Sequence, residues 1–462
     1  MSTAGISFGG LASGLDTKAI ISALVAVEER PIRQLEAKKS SLNKQKSLFG
    51  DLKGLLDKLT TAAKALKRTT DFLSMKASSS DDTVLGATVS SSATPGTYSA
   101  RVIDLARSQV NSHSGSASRT AAIESGPVTL QIDTQSGPQF VDVTDPSLDS
   151  LAAAINSQAT GVRAEVVDTG NTANGGASRY QLVVRSSETG VANGFSLSVD
   201  SGLGGAFEAL VTDLNSHVRT PASDAELLVN GAVTVTRSTN TIGDLWTGIT
   251  LDLKSVPDPN KDITITVSTD AEETSKKVQE VVDAYNKVVD FFTEQNKLDA
   301  EGKASSPLFG DVTLRSIRSS LRTVIGGQVE GTGNQAYQLL SQIGVTADTA
   351  GKLTFSKSKF EEALAADEAA VASVFTHSTN GIAQSLETKI DLYTDGVDGL
   401  LKARTDGFDR MVKSTSDRIE QSERRLELYQ KQLEQKYANL ESLLSRLQSQ
   451  GSGLSSIASI RR

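Results

Sequence analysis

The chain of 462 residues contains no cysteine, which excludes disulfides, thiolate catalysis, iron–sulfur clusters and cysteine-based zinc sites. Its three histidines, His113, His217 and His377, lie far apart and none has a partner at metal-ligand spacing. Aromatic residues make up only 5%, so the cores must rely on Leu, Val, Ile and Ala. No stretch approaches the ~20 apolar residues that a membrane span requires. We therefore expect no cofactor, no metal and no membrane insertion.

Motifs of enzymatic chemistry are missing as well. Gly302-Lys303 and Gly351-Lys352 lack the upstream glycine and the following hydroxyl of a nucleotide-binding P-loop. We interpret the acidic pairs Asp81-Asp82 and Glu361-Glu362 as solvated surface, and the histidines as surface or satisfied core. The sequence predicts a protein that is not an enzyme, without catalytic residues. An enzyme carried on the middle of the chain is an alternative that no residues support.

Apolar residues recur every seventh position at both ends of the chain. The N-terminal repeat has a second stripe three residues on, at Leu52, Leu59 and Leu66, and the C-terminal repeat runs without a break. Such repeats predict coiled-coil helices, and a helix over 405–447 would be about 65 Å long. The repeats consist of Leu35, Leu42, Phe49, Leu56 and Ala63, and of Val412, Ile419, Leu426, Leu433, Leu440 and Leu447.

The apolar residues of each repeat can form the core within one chain, or they can form a contact between copies of the chain. For the N-terminal repeat both interpretations stay open. The C-terminal repeat outruns any neighbour within the chain, and its companion stripe is polar at Ser416, Glu423 and Gln430, so we expect a partner to complete it. The predicted interface residues are Leu35, Leu42, Phe49, Leu56, Ile419, Leu426, Leu433, Leu440 and Leu447.

The N-terminal helical stretch is strongly basic. Residues 30–68 carry eleven Lys or Arg and three Asp or Glu, in a chain whose net charge is −8. This stretch could bind nucleic acid through its charge, but no aromatic stacking residues accompany the lysines. We favour a solvated face of a coiled coil, and no nucleic-acid partner.

Between the helical ends the apolar period changes from seven to two. Ser147 begins one predicted helix within this region, and Asn230-Gly231 predicts a type I′ hairpin. Alternating or β-branched runs predict strands at 83–89, 98–105, 128–132, 163–168, 180–186, 195–200, 249–253 and 263–267.

Helix boundaries are predicted from capping residues and breakers. Asp16 and Asp311 are candidate N-caps, and Pro31 either ends the first helix or lies in the first turn of the next. Gly451 and Gly453 are expected to end the last helix.

The fold class that follows is α+β: a long antiparallel coiled-coil leg formed by both chain ends, with β-rich head modules inserted between them. We expect an N-terminal segment, disordered until assembled, and a C-terminal segment for assembly. The predicted divisions are 1–40 for the N-terminal segment; 41–75 and 270–435 for the leg; 76–112 and 222–269 for the inner head module; 113–221 for the outer head module; and 436–462 for the C-terminal segment.

Several long stretches resemble the family of flagellar filament cap proteins, also called hook-associated protein 2. They are the start of the chain, SFGGLASGLDTKAIISALVAVEERPIRQLEAKKSSL; SSSATPGTYSARVIDLARSQ at 90–109; SSPLFGDVTLRSIRSSLRTVI at 305–325; IGVTADTAGKLTFSKSKF within 343–375; and the ending LSRLQSQGSGL. Residues 147–200 resemble a repeat inserted in flagellins and hook-associated proteins. The resemblance covers the whole chain and is weakest over 113–221.

The resemblance implies a structural cap at the distal tip of the bacterial flagellar filament, required for filament elongation and motility. There it would promote insertion and folding of flagellin and prevent its loss. Implied partners are flagellin, hook–filament junction proteins, an export chaperone at the C-terminal region, and further copies of the chain in a ring of about five subunits, within about four to six. The implied location is extracellular, reached by the flagellar type III system without a cleaved signal peptide. The alternative function is an adhesin that binds a host surface through the β head.

The Gly- and Ser-rich ends predict a measurable property of the isolated monomer. We expect residues up to about 35 and from about 450 onward to exchange their backbone amide protons at once, while the β head exchanges slowly. Hydrogen-exchange mass spectrometry on a verified monomer tests this, and strong protection of both ends there would refute it.

Overall fold

We describe residues 16–199, 205–257, 261–329 and 336–459 in a computed structural model of the chain. The chain divides into two compact units, Met1–Phe72 with Ser275–Arg462, and Leu73–Thr274. The first unit is helical and the second carries the large antiparallel sheets, so the predicted α+β fold is confirmed. We call these units the leg and the head. No helix among the described residues is long and apolar enough to cross a membrane.

Eleven α-helices are found in the described residues. They are α1 (Thr17–Glu28), α2 (Arg30–Lys64), α3 (Thr69–Phe72), α4 (Leu148–Gln158), α5 (Ala206–Ser216), α6 (Ala271–Gln295), α7 (Val312–Gly326), α8 (Lys357–Ala366), α9 (Glu368–Thr376), α10 (Ile382–Thr394) and α11 (Leu400–Ser459).

The strands are short and all their pairings are antiparallel. They are β1 (Met75–Ser79), β2 (Leu85–Val89), β3 (Gly96–Asp104), β4 (Val110–Ser112), β5 (Val128–Thr134), β6 (Gly137–Val143), β7 (Val162–Asp168), β8 (Tyr180–Ser186), β9 (Ser196–Val199), β10 (Val218–Thr220), β11 (Ala225–Val229), β12 (Val233–Arg237), β13 (Thr241–Trp246), β14 (Ile249–Leu253), β15 (Ile263–Thr269), β16 (Val345–Ala347) and β17 (Leu353–Phe355).

Local capping chemistry sets the helix starts that the sequence predicts. The Asp16 carboxylate accepts a hydrogen bond from the Ala19 N–H at 2.9 Å and caps α1. The carboxylate of Asp311 accepts from the N–H groups of Thr313 and Leu314 and caps α7. Pro31 lies in the first turn of α2, the second of its two predicted positions, where its missing N–H costs no hydrogen bond.

The end of the last helix differs from the prediction. α11 continues past Gly451 to Ser459, so the glycines do not terminate it. A glycine within a helix costs about 1 kcal/mol relative to alanine, because its backbone loses more freedom. This penalty weakens a helix locally without forcing the chain out of the helical conformation.

Apolar helix faces and aromatic side chains form the core of the leg. One apolar face of α6 is buried, from Val278 through Tyr285 to Phe292. Phe72 of α3 stacks on Phe375 of α9 at 5.0 Å between ring centroids and meets Phe360 of α8 edge-on. These contacts join both ends of the chain in one core.

The head holds two hydrophobic clusters. The inner cluster lies between a five-stranded sheet, ordered β1-β15-β3-β11-β12, and a three-stranded sheet, β13-β14-β2. The outer cluster joins the sheets β10-β4-β8-β7 and β6-β5-β9 to α4 and α5. Val110–Ser112, which the sequence assigns to the inner module, pair with outer strands. The predicted module boundaries stay a proposal.

All eight predicted strand runs contain a strand in the structure, and residue 200, at the end of one run, lies outside the described residues. The Ser147 helix is α4, closed by a reciprocal pair of hydrogen bonds between Ser147 and Ser150. Asn230 and Gly231 both have positive φ, as a type I′ turn between β11 and β12 requires. The prediction of a single helix in this region was wrong, because α5 forms a second one and buries Phe207, Val211 and Leu214.

Two glycines of the inner module give a matched test of backbone strain. Both have positive φ, but a Cβ on Gly248 would lie 2.6 Å from the Ala93 nitrogen, whereas a Cβ on Gly231 would meet nothing within 4 Å. We expect Gly231→Ala to lower the free energy of unfolding by about 1 kcal/mol, and Gly248→Ala by about 3 kcal/mol or more. Denaturant titration followed by fluorescence of Trp246, which packs on Tyr98 in this module, measures both. Equal losses would contradict the close-contact argument.

Candidate assembly interface

The two chain ends meet where α2 and α11 pair antiparallel. Phe49 of α2 stacks on Phe408 of α11 with 5.7 Å between ring centroids. The Arg404 guanidinium lies over both rings, at 5.7 and 5.5 Å from their centroids, and donates to the Asp311 carboxylate at 2.8 Å. A cation over two aromatic faces adds electrostatic attraction to the burial of the rings.

Ion pairs follow the same antiparallel register. Lys46 of α2 pairs with Asp409 of α11. Just beyond the end of α2, Lys67 donates to the Glu387 carboxylate of α10 at 2.6 Å, and Lys64, the last residue of α2, lies 3.5 Å from the same group. The hydrogen bond from Lys67 lowers the pKa of Glu387, so this carboxylate stays ionised. Part of the basic charge of residues 30–68 is thus matched by acids within the leg.

Burial along the N-terminal repeat increases toward the C-terminal end of α2. Phe49 and Leu56 are fully buried, Leu42 is 8% exposed, and Leu35 is half-buried. Phe49 and Leu56 expose no surface that another copy could contact. This part of the repeat therefore forms core within one chain, one of its two predicted roles.

An open groove runs between α2 and α11 beyond the aromatic contact. It has a volume of about 580 Å³ and is lined by Glu36, Lys39, Ser40 and Asn43 of α2, and by Ser416, Ile419, Glu420 and Glu423 of α11. The polar companions Ser416 and Glu423 leave this side of the seam without apolar packing. The two helices are therefore closely packed at Phe49 and loosely packed at Ile419.

The C-terminal repeat changes from buried to exposed along α11. Ile419 and Leu433 are buried and Leu426 is half-buried, whereas Leu440 is 45% exposed and Leu447 is 54% exposed. Leu443, which lies between them on the same helix, is 58% exposed. α1 packs against α11 and itself leaves Leu24 and Val27 exposed. Apolar surface on both terminal helices is thus available to a further partner.

The chemistry of this surface is hydrophobic and electrostatic. Within the described ranges no group of three or more His, Asp or Glu side chains could hold a metal ion. The pKa of Glu427 is lowered by its hydrogen bond to Lys431, so the outer face of α11 keeps its charged pairs. A charged helix with one exposed leucine stripe is suited to association.

Sequence reasoning found the heptad residues but not their partners. The structure joins Phe49 to Phe408 and leaves Leu440 and Leu447 exposed. The roles of Arg404 and Asp311 were missed. Asp311 was predicted only as a helix cap, and nothing in the local sequence ties it to a side chain 93 positions away.

Comparison with known proteins gives one consistent result. Residues 13–109 match the family described as flagellar hook-associated protein 2 N-terminus, and residues 222–449 match flagellar hook-associated protein 2 C-terminus. The flagellar hook-associated protein 2 of Escherichia coli strain K12 is 29% identical, over 98% of this chain and 97% of that protein. The A-type flagellar hook-associated protein 2 of Pseudomonas aeruginosa is 28% identical, over 95% and 94%.

A solved structure agrees with the sequence matches. The crystal structure of the D1-D2-D3 domains of the flagellar cap protein from Escherichia coli covers 78% of this chain and 99% of that chain, with 30% identity and a TM-score of 0.62. Neither family match includes residues 110–221, the region that resembles the family least in sequence.

The fold and the interface define a structural assembly protein, in which paired terminal helices carry an inserted β head. The chain belongs to the family of flagellar hook-associated protein 2, the flagellar cap proteins.

The exposed and buried leucines of α11 predict separable effects. We expect Leu440→Ser with Leu447→Ser to leave thermal unfolding of the monomer unchanged and to weaken self-association, because both side chains are exposed. The buried Leu433→Ser should instead destabilise the leg by roughly 2–4 kcal/mol. Calorimetry and sedimentation velocity measure the two properties. The division is wrong if the double variant associates normally, or if it unfolds as early as Leu433→Ser.

Proposed function

We propose that the chain forms the cap at the distal end of a bacterial flagellar filament, where it promotes the insertion and folding of flagellin and prevents its loss. Filament elongation and motility would depend on it. Family membership supports this proposal, and the observation that carries it is the exposed leucine stripe of α11 on an otherwise charged helix. A cap must hold other subunits through such a surface.

The loosely packed part of the leg suits repeated rearrangement. A cap has to release and rebind its contacts each time a flagellin subunit is added beneath it. In the leg, the open groove at Ile419 and the exposed residues Leu440 and Leu447 lie beyond the tight contact at Phe49. The tight contact would stay closed while the outer segments exchange partners.

The partners we propose are further copies of the chain in a ring, flagellin, the hook–filament junction proteins, and an export chaperone that holds residues 436–462 before export. The location is the extracellular flagellar tip, reached by the flagellar type III system without a cleaved signal peptide. The ring would hold about five copies, within about four to six. A head-to-tail contact closes into a ring when the rotation between neighbouring copies allows it. The absence of cysteine suits a chain that crosses a narrow channel unfolded.

Adhesion through the outer head module is the second candidate function. Residues 110–221 lie outside both family matches, and this region carries exposed apolar side chains at Phe140 and Val191. An adhesin requires only the head, whereas a cap requires the terminal helices. A head fragment that binds host cells would support adhesion without bearing on the cap.

A deletion strain of the source bacterium tests the cap function. We expect loss of swimming and release of unpolymerised flagellin into the medium, both restored by the full chain and not by a chain ending at residue 435. Replacing residues 110–221 by a short linker serves as the matched control and should preserve swimming, since the cap requires the terminal helices. Negative-stain electron microscopy of the purified chain should show rings. Normal filaments in the deletion strain would overturn the proposal.

A further inference from the structure

A rigid turn between α10 and α11 presents an apolar side chain to solvent. Val397 at its tip is 83% exposed, and Leu392 and Leu400 beside it are exposed as well. The Asp395 carboxylate accepts hydrogen bonds from the N–H groups of Val397 and Asp398, at 2.8 and 2.7 Å. The turn is therefore fixed by its own hydrogen bonds, although its most apolar residue is in water.

Gly399 makes the turn tighter than another residue would allow. A Cβ at this position would lie 2.3 Å from the Asp395 carbonyl oxygen. Asp391 and Asp398 flank the turn, are exposed, and form no ion pair with any described residue. We call residues 391–400 the acidic knob, because carboxylates surround its apolar tip.

The leg also contains a concave pocket that is apolar inside and has an arginine at its edge, whereas the knob is a protruding apolar tip with carboxylates beside it. The pocket has a volume of about 300 Å³ and is lined largely by apolar residues, among them Tyr285, Ile325, Leu339, Val345 and Ala347, with Arg322 beside them. Tyr285 and Val345 are buried, so the walls are held by the core of the leg. We call this concavity the arginine-edged pocket.

Three arginines on one face of α7 make the surroundings of this pocket basic. Arg315, Arg318 and Arg322 line a second, shallow surface depression that shares Arg322 with the pocket. Arg318 donates to the Ala350 carbonyl, and no carboxylate among the described residues forms an ion pair with any of the three. Unpaired guanidinium groups around an apolar pocket favour an apolar side chain carried between carboxylates.

We propose that the acidic knob of one copy inserts Val397 into the arginine-edged pocket of a neighbouring copy. The knob and the pocket share no residue, so each copy can offer both halves at once, and we propose that they bind two different neighbours in a heterologous contact. Repeated contacts of this kind close into a ring when their rotation allows, and otherwise continue as a filament. The rigid knob loses little conformational freedom on binding. This inference rests on the ring in the proposed function and names the contact that builds it.

Cross-linking tests the contact directly, because the chain has no cysteine of its own. Val397→Cys and Ala347→Cys in one chain should give a ladder of covalent oligomers under oxidation. A mixture of the two single variants should stop at a dimer that contains one chain of each kind. Each single variant alone should remain uncross-linked. Circular dichroism confirms that the variants fold.

Charge exchange provides an independent measurement. Arg322→Asp and Asp398→Arg should each weaken self-association by about tenfold, and the two together should recover most of the loss. Arg410→Asp, at an exposed arginine of α11 without an ion pair among the described residues, is the matched control and should leave association unchanged. Sedimentation velocity at low and high salt measures all four chains.

The outcomes separate this contact from the cap function. If the unmodified chain forms rings and restores swimming while no ladder forms and charge exchange has no effect, the contact is wrong and the cap function stands. If Val397→Cys cross-links to flagellin and not to Ala347→Cys, the contact is likewise wrong. If the unmodified chain stays monomeric and fails to restore swimming, both are wrong.

Discussion

The contact between Phe49, Phe408 and Arg404 joins two helices that are separated by most of the chain, with Lys46 and Asp409 beside it 363 positions apart. Closing so long a loop has an entropic cost that grows only slowly with its length, and a few buried aromatic contacts offset it. Because α2 is fixed against α11 here, the heptads beyond this point are held in register even where they pack loosely. The groove at Ile419 and the exposed stripe of α11 both depend on this one anchoring contact.

The head can be inserted between α3 and α6 because its first and last strands are neighbours. β1 pairs with β15 from Met75 opposite Thr269 to Ser79 opposite Ile265, and the Thr274 hydroxyl accepts a hydrogen bond from the Ser74 N–H. The chain thus enters and leaves the head at adjacent points. Two hydrophobic clusters then stabilise the head without any contribution from the coiled-coil seam. Such an insertion can change in size and sequence without disturbing its ends, which agrees with the absence of residues 110–221 from the family matches.

The leg buries a complete hydrophobic core and still exposes apolar side chains at a few places on its surface. Phe49, Leu52, Leu56 and Leu59 are fully buried, whereas Leu440, Leu443 and Val397 are exposed on helices or turns that are well formed without them. Exposed apolar side chains on rigid elements lose little conformational freedom when a partner covers them. Their burial then favours association. The outer face of α11 also carries the exposed ion pairs Arg424–Glu420 and Lys431–Glu427. Under the proposed function, folding of the unit and assembly of the cap would therefore be carried by different residues.

The sequence alone determined the period of the elements with the clearest apolar patterns, because period and capping are local properties. The eight alternating runs are strands, Asp16 and Asp311 cap helices, and the heptads mark the faces of α2 and α11. Only the tertiary structure decided what those faces contact. A heptad gives the direction of a side chain and not its partner, so the burial of Phe49 and the exposure of Leu440 follow from what packs beside each of them. The same limit hid the pairing of Arg404 with Asp311 and the isolation of Val397, since each depends on residues that the chain brings together, or keeps apart, only when it folds.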